Sequence, residues 1–386
     1  MKTGLECFLG SEGKTWSKAR LGYLANQASV GPGYIHGLDL LDEKYPKAVA
    51  ALFGPQHGWA GEKQDNMVES AHSRDRRGRP VFSLYGETRR PTAEMLTGLD
   101  ALLVDLFDVG TRVYTFAHTL SHCMEEAAKA GLEVIVLDRP NPIGGLEVEG
   151  NLLAEDCRSF VGLHPIPMRH GLTMGELALF INGRLKKPAS LSVIKCEGWR
   201  RGQYFDETGL PWVYPSPNLP TPDCAWVYPG QVLWEGTNIS EARGTTRPFN
   251  LVGAPFIDSE ALHQSLVKLG LPGVIFRKAH FQPTFHKWAG EMCRGVELFP
   301  VEPGFKPYLT SLAILKVILE LWPDDFALKS PPYEYEFERR PLDLILGRRD
   351  IFDRLKNGES AESLEQSWQP ELAKFMEERP KFFLYD

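Results

Sequence analysis

Residues 101–142, ALLVDLFDVGTRVYTFAHTLSHCMEEAAKAGLEVIVLDRPNP, carry the alternation that decides the fold. Two short runs, Ala101 to Leu106 and Glu133 to Leu137, are almost continuously apolar, as suits parallel strands covered on both faces. Between them Tyr114 to Ala130 reads as a helix. Working outward, further strands are expected at Leu21 to Asn26, Val49 to Phe53, Val81 to Tyr85 and Leu191 to Cys196, with helices at Pro91 to Leu99 and Thr173 to Arg184. Thr173 and Glu176 have capping-box spacing. The pattern predicts an α/β fold whose first part is a Rossmann-like, doubly wound, mostly parallel sheet.

Residues 200–235, rich in Pro, Trp and Tyr, read as an ordered aromatic loop. A boundary at its end divides the chain into 1–232 and a smaller α+β domain, 233–386, with an active-site cleft between them. In the second part a helix is expected at Ser259 to Leu269, a strand at Val274 to Arg277, a long helix at Tyr308 to Leu321 and a helical tail at Ile351 to Glu378. A chain of 386 residues, 43% of them hydrophobic, is long enough for two cores.

A net charge of −7 argues against nucleic acid as a partner, because phosphate backbones select basic surfaces. No run approaches the roughly 18 apolar residues of a membrane span. The first residues, MKTGLECFLGSEGKTW, lack the apolar core of a signal peptide, so a cytoplasmic location is expected. Six scattered cysteines form no C-x-x-C pair, which leaves free thiols as the plain reading and gives no metal framework.

In doubly wound sheets ligands bind beyond the carboxyl ends of the strands. Those positions here hold GPQHGWAGEK, YGETRRP, FDVGTRVYT and DRPNPIGG, none of which is the G-x-G-x-x-G of a dinucleotide site. Glu62 is an acid among glycines; semi-buried, it would hold a proton near neutrality, and solvated it would pair with Lys63. Asp105 and Asp108 sit at a buried strand end where they need a partner such as Arg112, and Asp138 and Arg139 sit similarly. Glu235 and Glu241, with Arg243 and Arg247 close by, suit a polyhydroxylated ligand bearing an acid group, or else a solvated inter-domain loop. His57 and His170, each before a glycine, are candidates to bond a hydroxyl or to brace loops. His118 and His122 have metal-ligand spacing without the zincin glutamate, and a packing role is the better reading. Paired carboxylates point to hydrolysis of a glycoside.

The segments GPQHGWAGEK, SLYGETRRPTAEML, DLFDVGTRVYT, VLDRPNPIGG, SFVGLHPIPMRHGLTMGEL, PWVYPSPNLPT and EGTNISEARGTTRPFNLVGAPFI together resemble the exo-β-N-acetylmuramidases of the NamZ type, in order over nearly the whole chain. The resemblance implies release of N-acetylmuramic acid from non-reducing ends of peptidoglycan fragments, with no organic cofactor; the residues themselves suggest no metal. It implies Glu62 as first choice for general acid/base, with Glu235 and Asp108 as candidates for the second carboxylate or for orienting substrate. One of Arg112, Arg139 and Arg243 is expected to hold the lactyl carboxylate bidentately. His57, Tyr114, Asn141, His170, Asn218, Asn238 and Thr245 are further expected substrate contacts. Family members are often exported, so the resemblance also allows a cell-envelope or secreted location. One departure stands out: many members have Glu where this chain has Gln56, and an amide cannot exchange protons at useful pH. The position is therefore read as non-catalytic, and weight moves to Glu62. The alternative is a muramic-acid-binding protein of the same fold with altered catalysis.

Overall fold

The computed structural model describes residues 1–11, 16–301 and 304–386; residues 12–15 of the N-terminal stretch quoted above lie outside them. The strands are β1 (Leu21–Ala25), β2 (Val49–Gly54), β3 (Ser73–Arg74), β4 (Pro80–Ser83), β5 (Ala101–Asp105), β6 (Glu133–Leu137), β7 (Ser190–Ile194), β8 (Leu251–Ala254), β9 (Val274–Phe281) and β10 (Cys293–Pro300). The helices are α1 (Gly4–Gly10), α2 (Gly37–Lys44), α3 (Ala93–Leu96), α4 (Phe116–Ala130), α5 (Met174–Asn182), α6 (Pro222–Gln231), α7 (Ser259–Leu269), α8 (Pro307–Leu321), α9 (Pro341–Leu346), α10 (Asp350–Lys356) and α11 (Ala361–Glu378).

The first seven strands form one sheet in the order β3-β4-β2-β1-β5-β6-β7, parallel except for the short edge strand β3. Alternate residues serve opposite faces. Leu21, Tyr23 and Leu103 share one buried cluster with Leu5, Phe8 and Leu41 of α1 and α2. Leu24, Leu102 and Val104 join a second with Leu120, Met124 and Leu177 of α4 and α5. Covering on both faces explains why these strands are apolar throughout. The order reverses between β1 and β5, the switch point of a doubly wound sheet.

The second unit carries the antiparallel sheet β8-β10-β9, with α7 packed on it. Two expectations need correction. The aromatic stretch is not all loop, because Pro222–Gln231 is helical: Pro222 sits at a helix start, where its missing N–H is harmless. This helix is buried on nearly every side, so no amphipathic stripe announces it. Gly230 lets it touch α8, since a Cβ there would fall 1.9 Å from the Pro307 carbonyl oxygen. The expected tail from Ile351 to Glu378 is two helices, broken at Asn357 and Gly358, with Ser360 capping the second. Among the described residues no helix is long and apolar enough to cross a membrane, and all six cysteines are free thiols.

Candidate active site

Two strand ends of the large sheet and two segments of the second unit enclose a polar pocket. From the sheet come Gln56 and His57 after β2 and Tyr114 and Thr115 after β5; from the second unit come Glu235, Arg243, Tyr333 and Glu334. The turn after β2 is tight: His57 has φ 72° and Gly58 φ 86°. The free volume is about 30 Å³, room for a water-sized group.

Two buried carboxylates face this space, each held by two donors. Glu235 accepts from Arg243 Nη2 at 2.6 Å and from the Tyr333 hydroxyl at 2.7 Å. Glu334 accepts from Gln56 Nε2 at 2.9 Å and from the Tyr85 hydroxyl at 2.6 Å. A chain of donors fixes the second pair. Thr115 Oγ1 donates to Gln56 Oε1 at 2.5 Å, so the Gln56 amide must present its NH₂ to Glu334. The Met67 N–H donates to the Tyr85 oxygen at 2.8 Å and aims the Tyr85 proton at the same carboxyl.

Burial, reinforced by the charge of Glu235, lifts the Glu334 carboxyl to about 7, although the Tyr85 and Gln56 hydrogen bonds and the Arg89 guanidinium pull the other way. A carboxyl in that range exchanges its proton at neutral pH. Arg89 lies 3.6 Å from the Tyr335 ring centroid and 5.5 Å from that of Tyr85. Burial pushes His57 down to about 4, so its imidazole is neutral. Its Nδ1 lies 2.8 Å from the Lys63 carbonyl oxygen, which fixes the proton there and leaves Nε2 as an acceptor.

Arg243 is anchored from behind by Glu241 at 3.2 Å, in addition to Glu235. Glu241 is fully buried, and burial alone would raise it, yet Lys287 at 2.5 Å, His286 and Arg243 bring it down to about 2. Among the described residues Arg243 Nη1 has no hydrogen-bond partner, and it lies 3.6 Å from Asp65 Oδ1.

Several expected contacts sit elsewhere. Glu62 is exposed, folded back over Gly58, so the semi-burial on which its candidacy as an acid rested is absent. Arg112 is fully buried and donates to the carbonyls of Asn151, Ile166, Ile345 and Leu346, with none of its charge offered to the pocket. Arg139 pairs with Asp105 at 2.6 Å and donates to the Val30 carbonyl, beside a separate cavity of about 270 Å³ at the switch point. Asp108 accepts from the Gly110 N–H at 2.7 Å and lies 3.3 Å from His170, both buried behind the pocket wall. Asn141 ties Leu172 to Ile143 within its loop. Asn238 clamps the chain at Asp325 and Ala327. Asn218 and Thr245 line an open groove beside the pocket. His118 is buried in α4 against the Arg112 carbonyl, and burial takes it down to about 3. Among the described residues no cluster of His, Cys, Asp and Glu could hold a metal.

The sequence reading missed Glu334, Tyr333 and Tyr85, and set Gln56 aside. The signal for Glu334 was PPYEYEF at 331–337, an acid between tyrosines in a proline-started stretch remote from every other motif.

Two family models match the chain in consecutive blocks. Residues 21–223 match the family model described as exo-beta-N-acetylmuramidase NamZ, N-terminal, and residues 226–385 its C-terminal counterpart. A peptidoglycan beta-N-acetylmuramidase NamZ of Bacillus subtilis (strain 168) is 42% identical over 386 residues, covering 100% of this chain and 91% of that protein. A crystal structure of a DUF1343 family protein from Bacteroides fragilis NCTC 9343 superposes with TM-score 0.88 at 34% identity, covering 100% of this chain and 99% of that one. A second from the same organism gives TM-score 0.77 at 26% identity with the same coverage.

Proposed function

This chain belongs to the exo-β-N-acetylmuramidase NamZ family, and from that premise we propose that it is a glycosidase that releases N-acetylmuramic acid from the non-reducing ends of peptidoglycan fragments. The observation that carries the reading is the pair Glu235 and Glu334, buried at one pocket with different partners, an arginine on the first and only neutral donors bonded to the second. Glu235 accepts from both Arg243 and Tyr333, whereas Glu334 is suited to carry a proton near neutrality.

Glu334 then acts as general acid. Its proton passes to the glycosidic oxygen as the bond from C1 to that oxygen breaks, while a water attacks C1 and gives a proton to the second carboxylate, Glu235. The pocket takes a water-sized group, so the muramyl ring lies at its mouth, within reach of His57, Asn218 and Thr245. Of the three arginines considered, Arg243 alone lines the pocket, and its unbonded Nη1 is the group suited to the lactyl carboxylate.

The test is release of the aglycone from an aryl β-N-acetylmuramide. With a weakly acidic leaving group, wild-type turnover that falls at least about a hundredfold in Glu334→Gln supports the assignment; turnover kept within a few-fold on that substrate removes Glu334 from the role. A second reading, saccharide binding without hydrolysis, draws on Gln56, the amide that replaces an acid common in the family. Calorimetric binding of N-acetylmuramic acid by a wild-type protein that cleaves no muramide would favour it.

A further inference from the structure

The stretch YGETRRP after β4 supplies two neighbouring arginines with opposite surroundings. Arg90 pairs with Glu125 and Glu126 of α4. Half-buried Arg89 meets aromatic rings instead, its Cζ 3.6 Å from the Tyr335 ring centroid and 5.5 Å from those of Tyr85 and Phe160. The rings brace one another, with Tyr85 centred 5.8 Å from both Phe160 and Tyr335. Arg89 Nε and Nη2 are buried and have no hydrogen-bond partner among the described residues. Ring faces recover only part of the hydration that these charged donors give up, so the placement is costly and calls for a cause beyond packing.

Two of those rings belong to the surroundings of Glu334. Tyr85 donates its hydroxyl to that carboxyl, and Tyr335 is the next residue along the chain. Tyr333 and Glu336 exchange two backbone hydrogen bonds of 2.9 Å, which close a turn with Glu334 and Tyr335 at its tip. Here φ is 48° at Glu334 and 64° at Tyr335, the left-handed pair of a primed turn that ordinarily takes Asn-Gly. Large side chains strain such a backbone, so it persists only where contacts hold it. Gln56 and Tyr85 hold the first residue, and Arg89 stacks on the second. The charges nearby single out the same arginine. Glu235 faces Glu334 with its own arginine, Arg243, bonded to it, and Glu69 bears on Tyr335 from the other side. Tyr228 and Tyr333 are neutral phenols, and burial keeps His57 and His122 neutral, each brought down to about 4. Arg89 is the cation whose charge favours the ionised form of Glu334.

We propose that Arg89 is a positioning residue for the acid step: stacked on Tyr335 it keeps the strained turn closed, and its charge offsets the negative charge that Glu334 acquires on giving its proton to the glycosidic oxygen. The inference rests on Glu334 as the acid and deepens that reading. The proton leaves the carboxyl for the oxygen as the bond from C1 to that oxygen breaks, while Arg89 keeps its own protons throughout. Without the guanidinium, the new carboxylate would lie buried beside the charge of Glu235 with no counter-ion of its own.

The experiment compares Arg89→Met, which keeps an apolar stem among the rings and removes the charge, with Arg89→Lys, which restores a cation there. On an aryl β-N-acetylmuramide with a weakly acidic leaving group, the fall of activity at high pH is expected about one pH unit higher in Arg89→Met than in the wild type. A weaker acid gives up its proton less readily, so kcat at low pH should also drop by about three- to tenfold. Arg89→Lys should bring the fall back to within about half a pH unit of the wild type. A fall that stays in place or moves downward in Arg89→Met, or an upward shift that Arg89→Lys does not reverse, would overturn the inference; a role in packing alone lowers kcat and leaves the profile where it is. If the wild type cleaves no muramide, the hydrolytic reading fails separately. The titration is then read without turnover from the carboxyl carbon of Glu334, by NMR of protein labelled with ¹³C at glutamate Cδ and assigned by the signal lost in Glu334→Gln. A midpoint raised in Arg89→Met and restored in Arg89→Lys supports the inference, and a midpoint common to the wild type and Arg89→Met overturns it. Arg89→Gln, equally uncharged, takes the place of Arg89→Met if that variant does not fold.

Discussion

Gln56 Nε2 donates to Glu334 Oε1 across 2.9 Å, joining the turn after β2 to a segment 278 positions further along the chain. This one bond links the large sheet to the second unit at the carboxyl most suited to proton transfer. Its amide end is oriented by Thr115, so the contact is directional and not merely close.

Replacing Glu334 with Gln keeps the shape and removes the proton. For an aryl muramide with a poor leaving group, kcat is expected to fall by about 10²–10⁴, the usual worth of a general acid. With a strongly acidic phenol as leaving group, little protonation is needed and the loss should shrink to a few-fold. Steady-state kinetics across a series of aryl substituents checks this; a loss that ignores leaving-group acidity would argue for a structural role.

Gln56→Glu tests the same contact from the other side. Two carboxyls within hydrogen-bond distance share a proton, and the pair then releases its last proton at higher pH than Glu334 does beside an amide. The acid form acts, so activity falls as pH rises through about 7 in the wild type. In the variant that fall is expected to move upward by about one pH unit. A pH–rate profile on the aryl substrate reads the shift directly.

The sheet was legible because its strands are physically simple. Val104, Val136 and their neighbours form short apolar runs bounded by turn signals and covered on both faces, as suits buried strands. Helix α6 was not legible, since burial on all sides erased its periodicity and its prolines mimic a loop. The site divides the same way. Glu235 and Arg243 are close in sequence and could be paired by eye, and they do bond at 2.6 Å. Glu334 meets Gln56 only through the tertiary fold, and short-range spacing carries no trace of that meeting. Glu62 looked acidic and isolated in a loop, but sequence does not report that its side chain faces solvent.

Arg112 separates a structural arginine from a ligand-binding one. Four carbonyls from three segments accept from its two terminal nitrogens, and burial lowers it to about 10, which still leaves it charged. Arg112→Lys cannot serve four acceptors in that planar arrangement and is expected to destabilise by about 2–4 kcal/mol. Denaturant unfolding should record this while KM of the folded enzyme stays within about twofold. Arg243→Lys, by contrast, should raise KM for muramides, because Arg243 lines the pocket and its Nη1 has no hydrogen-bond partner among the described residues.

Buried Glu241 makes stability depend on Lys287. The Glu241 carboxyl is held at about 2, below the ordinary glutamate value of 4.5, so its pairing contributes stability above pH 4.5 that is lost as pH falls toward 2. Lys287→Met strands that carboxylate, leaving only His286 and Arg243 as partners. The expected loss at pH 7 is about 3 kcal/mol, the usual cost of breaking a buried pair from one side. The loss should shrink on acidification, since a protonated Glu241 no longer needs the ammonium. Urea unfolding of wild type and variant at pH 7 and pH 4 measures both values, and a loss that is the same at both pH values would show that Lys287 acts through its hydrogen bonds to the Trp234, Thr237 and Ile239 carbonyls and its packing, not through Glu241.

Glu334 predicts the opposite slope. Its carboxyl is raised from 4.5 to about 7, so the folded state holds a proton that the unfolded chain has released. That contribution is complete below pH 4.5 and disappears as pH rises through about 7. Glu334→Gln removes the titration, so the variant should gain on the wild type across this window, by about 1–3 kcal/mol between pH 4.5 and 8. Glu149, lifted to about 7 by burial elsewhere, titrates equally in both proteins and cancels from the difference. The same variant is expected to lose turnover, so a site tuned for proton transfer lowers the stability of the fold near neutrality. Paired urea titrations at pH 5 and pH 8 decide it: a stability difference that does not change with pH would mean that Glu334 is ionised throughout and cannot be the acid.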